Sequence, residues 1–211
     1  MNLKQFEERF ATLGNSYKTK DKDRLNKTLI KENVDVSFLK DIIMEKQKYH
    51  RSYFQISLGT LKDVDKQFKF IEDNFDKLND WWHVDQLQQF ISKKTTFDFA
   101  INKAKEYINH PNLFARRWGY VLFMPTLVKD KQRYKEIFDL FKDDNEYYVI
   151  MAEAWLLSYL AIYYPIDTLT YLKGKPLSYS IVGKAIQKTC DSFRVSKEIK
   201  EKFKEIRNEY K

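Results

Sequence analysis

The sequence predicts an all-α protein, a curved solenoid of stacked antiparallel helix pairs, and three observations carry that expectation. Apolar residues recur at three- and four-residue spacings along almost the whole chain. Only five glycines and four prolines punctuate 211 residues, fewer than a turn-dense β-fold needs. Between the apolar positions stand Lys, Glu, Gln and Leu, whose side chains lose little rotamer freedom in a helix.

The stripe Leu3, Phe6, Phe10 and Leu13 predicts a first helix that stops at Gly14. The lysine-rich stretch from Asn15 to Asn33 is weakly patterned, with room for a short helix around Leu25, Leu29 and Ile30. From Val36 the stripes follow closely. Phe38 to Ile43 make one and Tyr53 to Leu61 the next, with Asp63 placed to cap the turn that follows. Phe68 to Leu78 make a third, and Trp81 to Ile91 a fourth behind the N-cap residues Asn79 and Asp80.

Thr95 or Thr96 caps a helix that Asn109, His110 and Pro111 break. Leu113 to Val128 is apolar enough for a buried helix, kinked or ended by Pro125. Further helices are expected over 130–141, over 146–164 up to Pro165, and over 166–172, 178–193 and 196–210. No linker or composition break divides the chain, so residues 1–211 are expected to form a single helical-repeat domain.

The formal net charge of +8 favours a polyanionic partner, although the lysines are interspersed with acids and also read as a solvated surface. Cys190 is the only cysteine, which excludes an intramolecular disulfide and a thiolate-rich zinc site and suits a reducing, cytoplasmic compartment. No apolar run approaches the ~20 residues that span a bilayer, so no membrane association is expected. The phosphate-loop, HExxH and GxSxG signatures are absent. His50, His83 and His110 offer no ligand spacing, so neither a metal nor a cofactor is expected, and His83 reads as solvent-facing or as backing for a neighbouring residue.

The most unusual segment is Asp80-Trp81-Trp82-His83-Val84-Asp85. On a helix, Trp81 and Asp85 stand one turn apart on one face, where a carboxylate beside an indole can stabilise a cationic sugar or base. Trp81 as core and Asp85 as a surface charge is the alternative. Arg116 and Arg117 open an apolar helix beside Trp118, where a guanidinium can clamp a phosphate bidentately or form an ion pair between repeats. Trp155 lies in a long apolar helix and, alone, reads as core.

Together these segments resemble the AlkD-like DNA glycosylases of the HEAT-like-repeat alkylation-repair family. The resemblance rests on Trp81 with Asp85, on Ala115-Arg116-Arg117-Trp118-Gly119, and on Tyr147-Tyr148-Val149 leading to Ala154-Trp155-Leu156-Leu157-Ser158. Gly183-Lys184-Ala185-Ile186-Gln187-Lys188, followed by Ser192-Phe193-Arg194-Val195-Ser196, is similar to the family's closing signature. The likeness runs from about His50 to Arg207. Before it, the family's usual glycine-valine-arginine-proline signature is missing.

The resemblance implies a DNA glycosylase that hydrolyses the N-glycosidic bond of alkylated purines of the 7-methylguanine and 3-methyladenine type in duplex DNA. It places the functional residues at Asp85, Trp81, Trp155 and Arg117, with Arg116 as an alternative for the arginine. The carboxylate of Asp85 would stabilise the sugar cation and place a water, the two tryptophans would present π faces, and Arg117 would hold a phosphate. Lys184 and Lys188, one turn apart, are expected backbone contacts, although a solvated face accounts for them equally. The protein is expected to work as a monomer without a cofactor. The competing expectation is a non-catalytic helical-repeat protein of the same family that binds DNA or serves as a scaffold.

Overall fold

The computed structural model describes residues 1–210. Among them are eleven α-helices, six short 3-10 helices and no strand. The all-α expectation holds. The chain gathers into two compact units, Met1–Thr95 and Thr96–Lys211.

The first unit contains α1 (Leu3–Ala11), α2 (Thr19–Lys31), α3 (His50–Thr60), α4 (Val64–Glu72) and α5 (Trp81–Asp85). Asn2 and Gln5 form a reciprocal capping box at the start of α1, and Gly14 closes the following turn at φ +73°, where a Cβ would be strained. Phe6 and Phe10 anchor α1 by edge-on packing against Tyr49. α2 is a full 13-residue helix, longer than its weak pattern suggests, because Leu29 and Asn26 are buried when it pairs with α3. Asn26 donates to Gln55 of α3 at 2.7 Å, so a polar pair replaces an apolar one in that seam.

α3 is the centre of this unit, with Tyr53, Phe54, Ile56 and Leu58 all buried. Asp63 caps α4 as expected, accepting from the Lys66 amide at 2.9 Å. Three expected helices are shorter than the periodicity implies: 37–39 and 75–77 are single 3-10 turns, and the helix after Asp80 stops at Asp85 before a 3-10 turn at 87–89. Such turns keep the i,i+3 apolar spacing, so the pattern survives where the long helix does not.

The second unit contains α6 (Phe97–Tyr107), α7 (Leu113–Val121), α8 (Tyr147–Tyr163), α9 (Pro165–Lys173), α10 (Tyr179–Asp191) and α11 (Lys197–Glu209). Thr96 caps α6 and Asn112 caps α7. Gly119 lets α7 press onto α6: a Cβ there would lie 2.9 Å from the Ile108 side chain and 3.4 Å from the Ala104 carbonyl oxygen. α7 ends before a cis Met124–Pro125 bond, and Tyr134–Leu140 is a 3-10 helix rather than the expected α-helix.

α8 is the core of this unit and packs on α7, α9 and α10. Val149, Ala152, Ala154, Leu156, Leu157 and Leu160 are buried along it, while Trp155, Tyr159 and Tyr163 remain half-buried on another side. Pro165 occupies the first turn of α9, where its missing N–H costs nothing. The helices therefore pack as neighbouring pairs in sequence order, α6 with α7, α7 with α8, α8 with α9 and α10 with α11, as a helical repeat requires.

Candidate nucleic-acid interface

α5 is only five residues long, and burial of His83 and Val84 fixes which way it faces. Trp81 and Asp85, separated by one turn, lie on another side of it. Trp81 is 49 % exposed and Asp85 half-buried, so the indole is a surface group and not core. Asp80 caps the helix by accepting from the Trp81 amide at 2.7 Å.

Of the two settings expected for His83, the solvent-facing one is not what the structure shows; it is wholly buried and its ring stacks on that of His50. His50 Nε2 lies 2.9 Å from the Lys77 carbonyl, which only accepts, so Nε2 carries the proton and Nδ1 accepts from the Gln86 amide at 3.0 Å. His83 Nδ1 accepts from the Asn79 amide at 3.2 Å. Burial holds both imidazoles neutral, with His50 lowered to about 3, helped by the neighbouring His83, and His83 lowered to about 4.

Gln86, next to Asp85, also joins a second group. Its side-chain oxygen is 3.4 Å from Arg51 Nη1, and Arg51 grips Asp23 of α2 with Nε and Nη2 at 2.6 and 2.9 Å. Arg51 also donates to Gln89 at 3.1 Å and covers the Phe90 ring. A short helix that could not persist alone is thus fixed from α2 and α3 by buried hydrogen bonds.

The remaining expected residues belong to the second unit. Arg116 is bound bidentately by Asp144, Nε to Oδ2 at 2.7 Å and Nη2 to Oδ1 at 3.2 Å. Its Nη1 donates to the carbonyls of His110 and Pro111, each at 3.1 Å. The guanidinium fork is therefore engaged with the chain itself. Arg117 is 4 % exposed, and its Nη1 donates to the Tyr148 carbonyl in the first turn of α8 at 2.6 Å.

Trp155 and Lys188 line one open groove of about 530 Å³ with Tyr159, Phe193 and Arg194. Lys184, one turn before Lys188, stands 5.6 Å above the exposed Tyr147 ring. Trp155, Tyr159 and Tyr163 follow at four-residue steps along α8, with centroids 6.2 and 6.1 Å apart. Arg194 lies 5.8 Å from the Tyr159 centroid and 5.3 Å from that of Tyr163, and donates to the Tyr163 hydroxyl at 2.9 Å. Sequence reasoning missed Tyr159, Tyr163 and Phe193 as surface groups, although the i,i+4 aromatic spacing was visible.

An aromatic surface flanked by cations is the chemistry that holds nucleic acid. A family model described as "DNA alkylation repair enzyme" matches residues 5–188. The chain belongs to the DNA alkylation repair enzyme family. The match begins within α1, so the first two helices are part of the family framework even without the signature expected there. Comparison with curated proteins gave no match, and neither did comparison with solved structures. Membership in the DNA alkylation repair enzyme family points to DNA as the substrate class.

Proposed function

We propose that the protein is a monofunctional DNA glycosylase that removes purines alkylated at ring nitrogens, of the 7-methylguanine and 3-methyladenine type, from duplex DNA. The observation that carries this reading is the solvent-facing Trp81 one helical turn from Asp85 on a helix clamped from beneath, in a chain of the alkylation repair family.

An N-alkylated purine carries a positive charge and leaves as a neutral base, so its departure needs no general acid. The C1′–N bond breaks with its electron pair going to the base, and the deoxyribose becomes an oxocarbenium ion. Asp85 stabilises that cation, and its carboxylate orients the water that adds to C1′ and gives up a proton, leaving an abasic site. Trp81 and Trp155 offer π faces to the growing positive charge.

Arg117 holds a backbone phosphate near the lesion. Because the Tyr148 carbonyl already fixes its guanidinium, little side-chain freedom is lost on contact. Lys184 and Lys188 add contacts further along the backbone. The protein acts as a cytoplasmic monomer without a cofactor. A second reading, a non-catalytic DNA-binding member of the family, is favoured by the engagement of Arg116 and Arg117 within the fold.

The test is incubation with duplex DNA carrying a single 7-methylguanine, followed by chromatographic detection of free base and alkali cleavage at the abasic site. Stoichiometric binding without base release would select the second reading.

A further inference from the structure

The first unit also holds a pocket of about 200 Å³ whose walls include none of the residues proposed for base removal. It lies where α2 and α3 end. These helices run side by side in the same direction, because Asp23 pairs with Arg51, Asn26 with Gln55, and Ile30 lies against Gly59. Residues 32–49 return the chain between them. Both C-termini therefore fall at one place, and the partial negative charges of two helix dipoles add there. The wall is formed by Val34, Asp35 and Ser37, which follow α2, and by Ser57, Thr60 and Leu61 at the end of α3.

The polar groups of this wall mostly accept. The Ser37 hydroxyl donates to Asp35 Oδ2, that of Thr60 to the Ser57 carbonyl and that of Tyr53 to Asn74 Oδ1, each at 2.9 Å. With those hydrogens spent inside the protein, the oxygens have only lone pairs to offer a ligand. The Ser37 amide is also engaged, by Asp35 Oδ1 at 2.8 Å, and the Leu61 amide by the Ser57 carbonyl. The chain carries a net charge of +8, yet among the described residues Asp35 is the only charged one on the wall.

The field around the pocket agrees with its lining. Asp76, Asp41 and Asp35 add to burial in pushing the Tyr53 phenol up to about 12. Lys77 lies 3.0 Å from Asp76 and Lys62 reaches the Gly59 carbonyl at 3.3 Å, but neither lines the pocket. Buried Val36 and Tyr53 close its floor, and the Phe70 ring stands beside Tyr53 at 5.5 Å. An anion is repelled here, and a neutral apolar molecule would cover Asp35 without pairing it. The volume is smaller than the ~300–1,000 Å³ of pockets for drug-sized molecules, so the occupant is a short chain.

We propose that this pocket binds a primary alkylammonium on a chain of about four carbons, with the ammonium on the Asp35 carboxylate and neighbouring hydroxyl oxygens and the chain against Val36 and Phe70. A free alkylamine and the lysine side chain of a partner protein share this chemistry.

The experiment titrates the full ¹⁵N-labelled chain at pH 7 with n-butylammonium and follows amide chemical shifts. Butan-1-ol is the uncharged control, and Nα-acetyl-lysine methylamide presents the same ammonium as a protein would. Saturable shifts confined to 34–37, 57–61 and the vicinity of Phe70 are expected, with a Kd on the order of 1–10 mM. Asp35→Asn keeps an oxygen for the Ser37 amide, so the turn persists, and should weaken binding on the order of ten-fold. Shifts from both amines assign the site to a protein's lysine, and shifts from n-butylammonium alone assign it to a free amine. No saturable shift by ~50 mM, equal shifts with butan-1-ol, or unchanged affinity in Asp35→Asn overturns the inference.

Discussion

The imidazoles of His50 and His83 lie face to face, with ring centroids 3.5 Å apart and planes 7° from parallel, both sealed from solvent beneath Trp81 and Asp85's helix. Burial disfavours a charge on either ring, and the closeness of the two disfavours a second one, so both stay neutral. The unfolded chain protonates each ring near its ordinary value of about 6.5, while the folded chain resists until about 3 for His50 and about 4 for His83. As pH falls through 6.5, the unfolded state takes up protons that the folded state refuses, so stability is lost progressively down to about pH 4 for His83 and about pH 3 for His50. Urea unfolding followed by tryptophan fluorescence should show the midpoint falling between pH 7 and 5, before most carboxylates titrate. A flat midpoint across that range would contradict the neutral pair.

Gln86 ties this pair to Arg51 and to the end of α5. Gln86→Leu leaves the His50 Nδ1 acceptor buried without its donor, at a cost of about 1–3 kcal/mol. If the clamp positions Asp85, the variant should lose kcat for base release at pH 7.5 with little change in DNA affinity. An equal loss in affinity would mean that the clamp supports folding alone.

Glu153 acts in the opposite direction on stability. Burial in the middle of α8 pushes its carboxyl up to about 8. Between the ordinary carboxylate range and about 8, the unfolded chain releases a proton that the folded chain keeps, so this group costs more stability as pH rises. Glu153→Gln preserves the neutral shape and removes the penalty. Its melting temperature relative to wild type should climb from pH 5 to 8, and a pH-independent difference would refute the assignment.

The ion pair of Arg116 with Asp144 is mostly covered, with side chains 16 % and 9 % exposed. It joins the first turn of α7 to the loop that precedes α8. Arg116→Ala strands a buried carboxylate and should destabilise the protein by about 2–4 kcal/mol, visible in urea unfolding. Asp144→Asn in the same background should recover part of the loss. A loss below about 0.5 kcal/mol would place Arg116 among ordinary surface charges.

Much of the fold was legible because helical periodicity reports burial directly. The caps at Asp63, Asp80, Thr96 and Ser196 stand where short polar side chains precede an apolar stripe. What periodicity could not separate was a helix from successive 3-10 turns, because both return an apolar residue after three positions. That is why the segment after Asp85 and the segment 134–140 read as longer α-helices. Trp81 as a surface group was legible only with its family context, since an isolated tryptophan more often packs inside. The His50–His83 stack was not legible at all, because residues 33 apart in sequence meet only through the packing of α3 and α5. The two arginines were singled out as a phosphate clamp or as an ion pair between repeats; the Asp144 partner of Arg116 and the Tyr148 carbonyl that holds Arg117 lie far along the chain, out of reach of local pattern.

The backbone contacts have their own signature. Lys188→Ala should weaken binding to any duplex and lower the slope of log K against log salt by about one. An unchanged slope would remove Lys188 from the interface.

The central claim is that Asp85 stabilises the sugar cation formed as an alkylated base departs. It is tested most directly by single-turnover release of 7-methylguanine from duplex DNA by the wild-type protein and by Asp85→Asn, with DNA affinity measured in parallel. The account predicts release by the wild type, a rate lower by about 10²–10⁴-fold in the variant, and DNA binding that persists. No release by the wild type at excess protein, or full activity in Asp85→Asn, would contradict it.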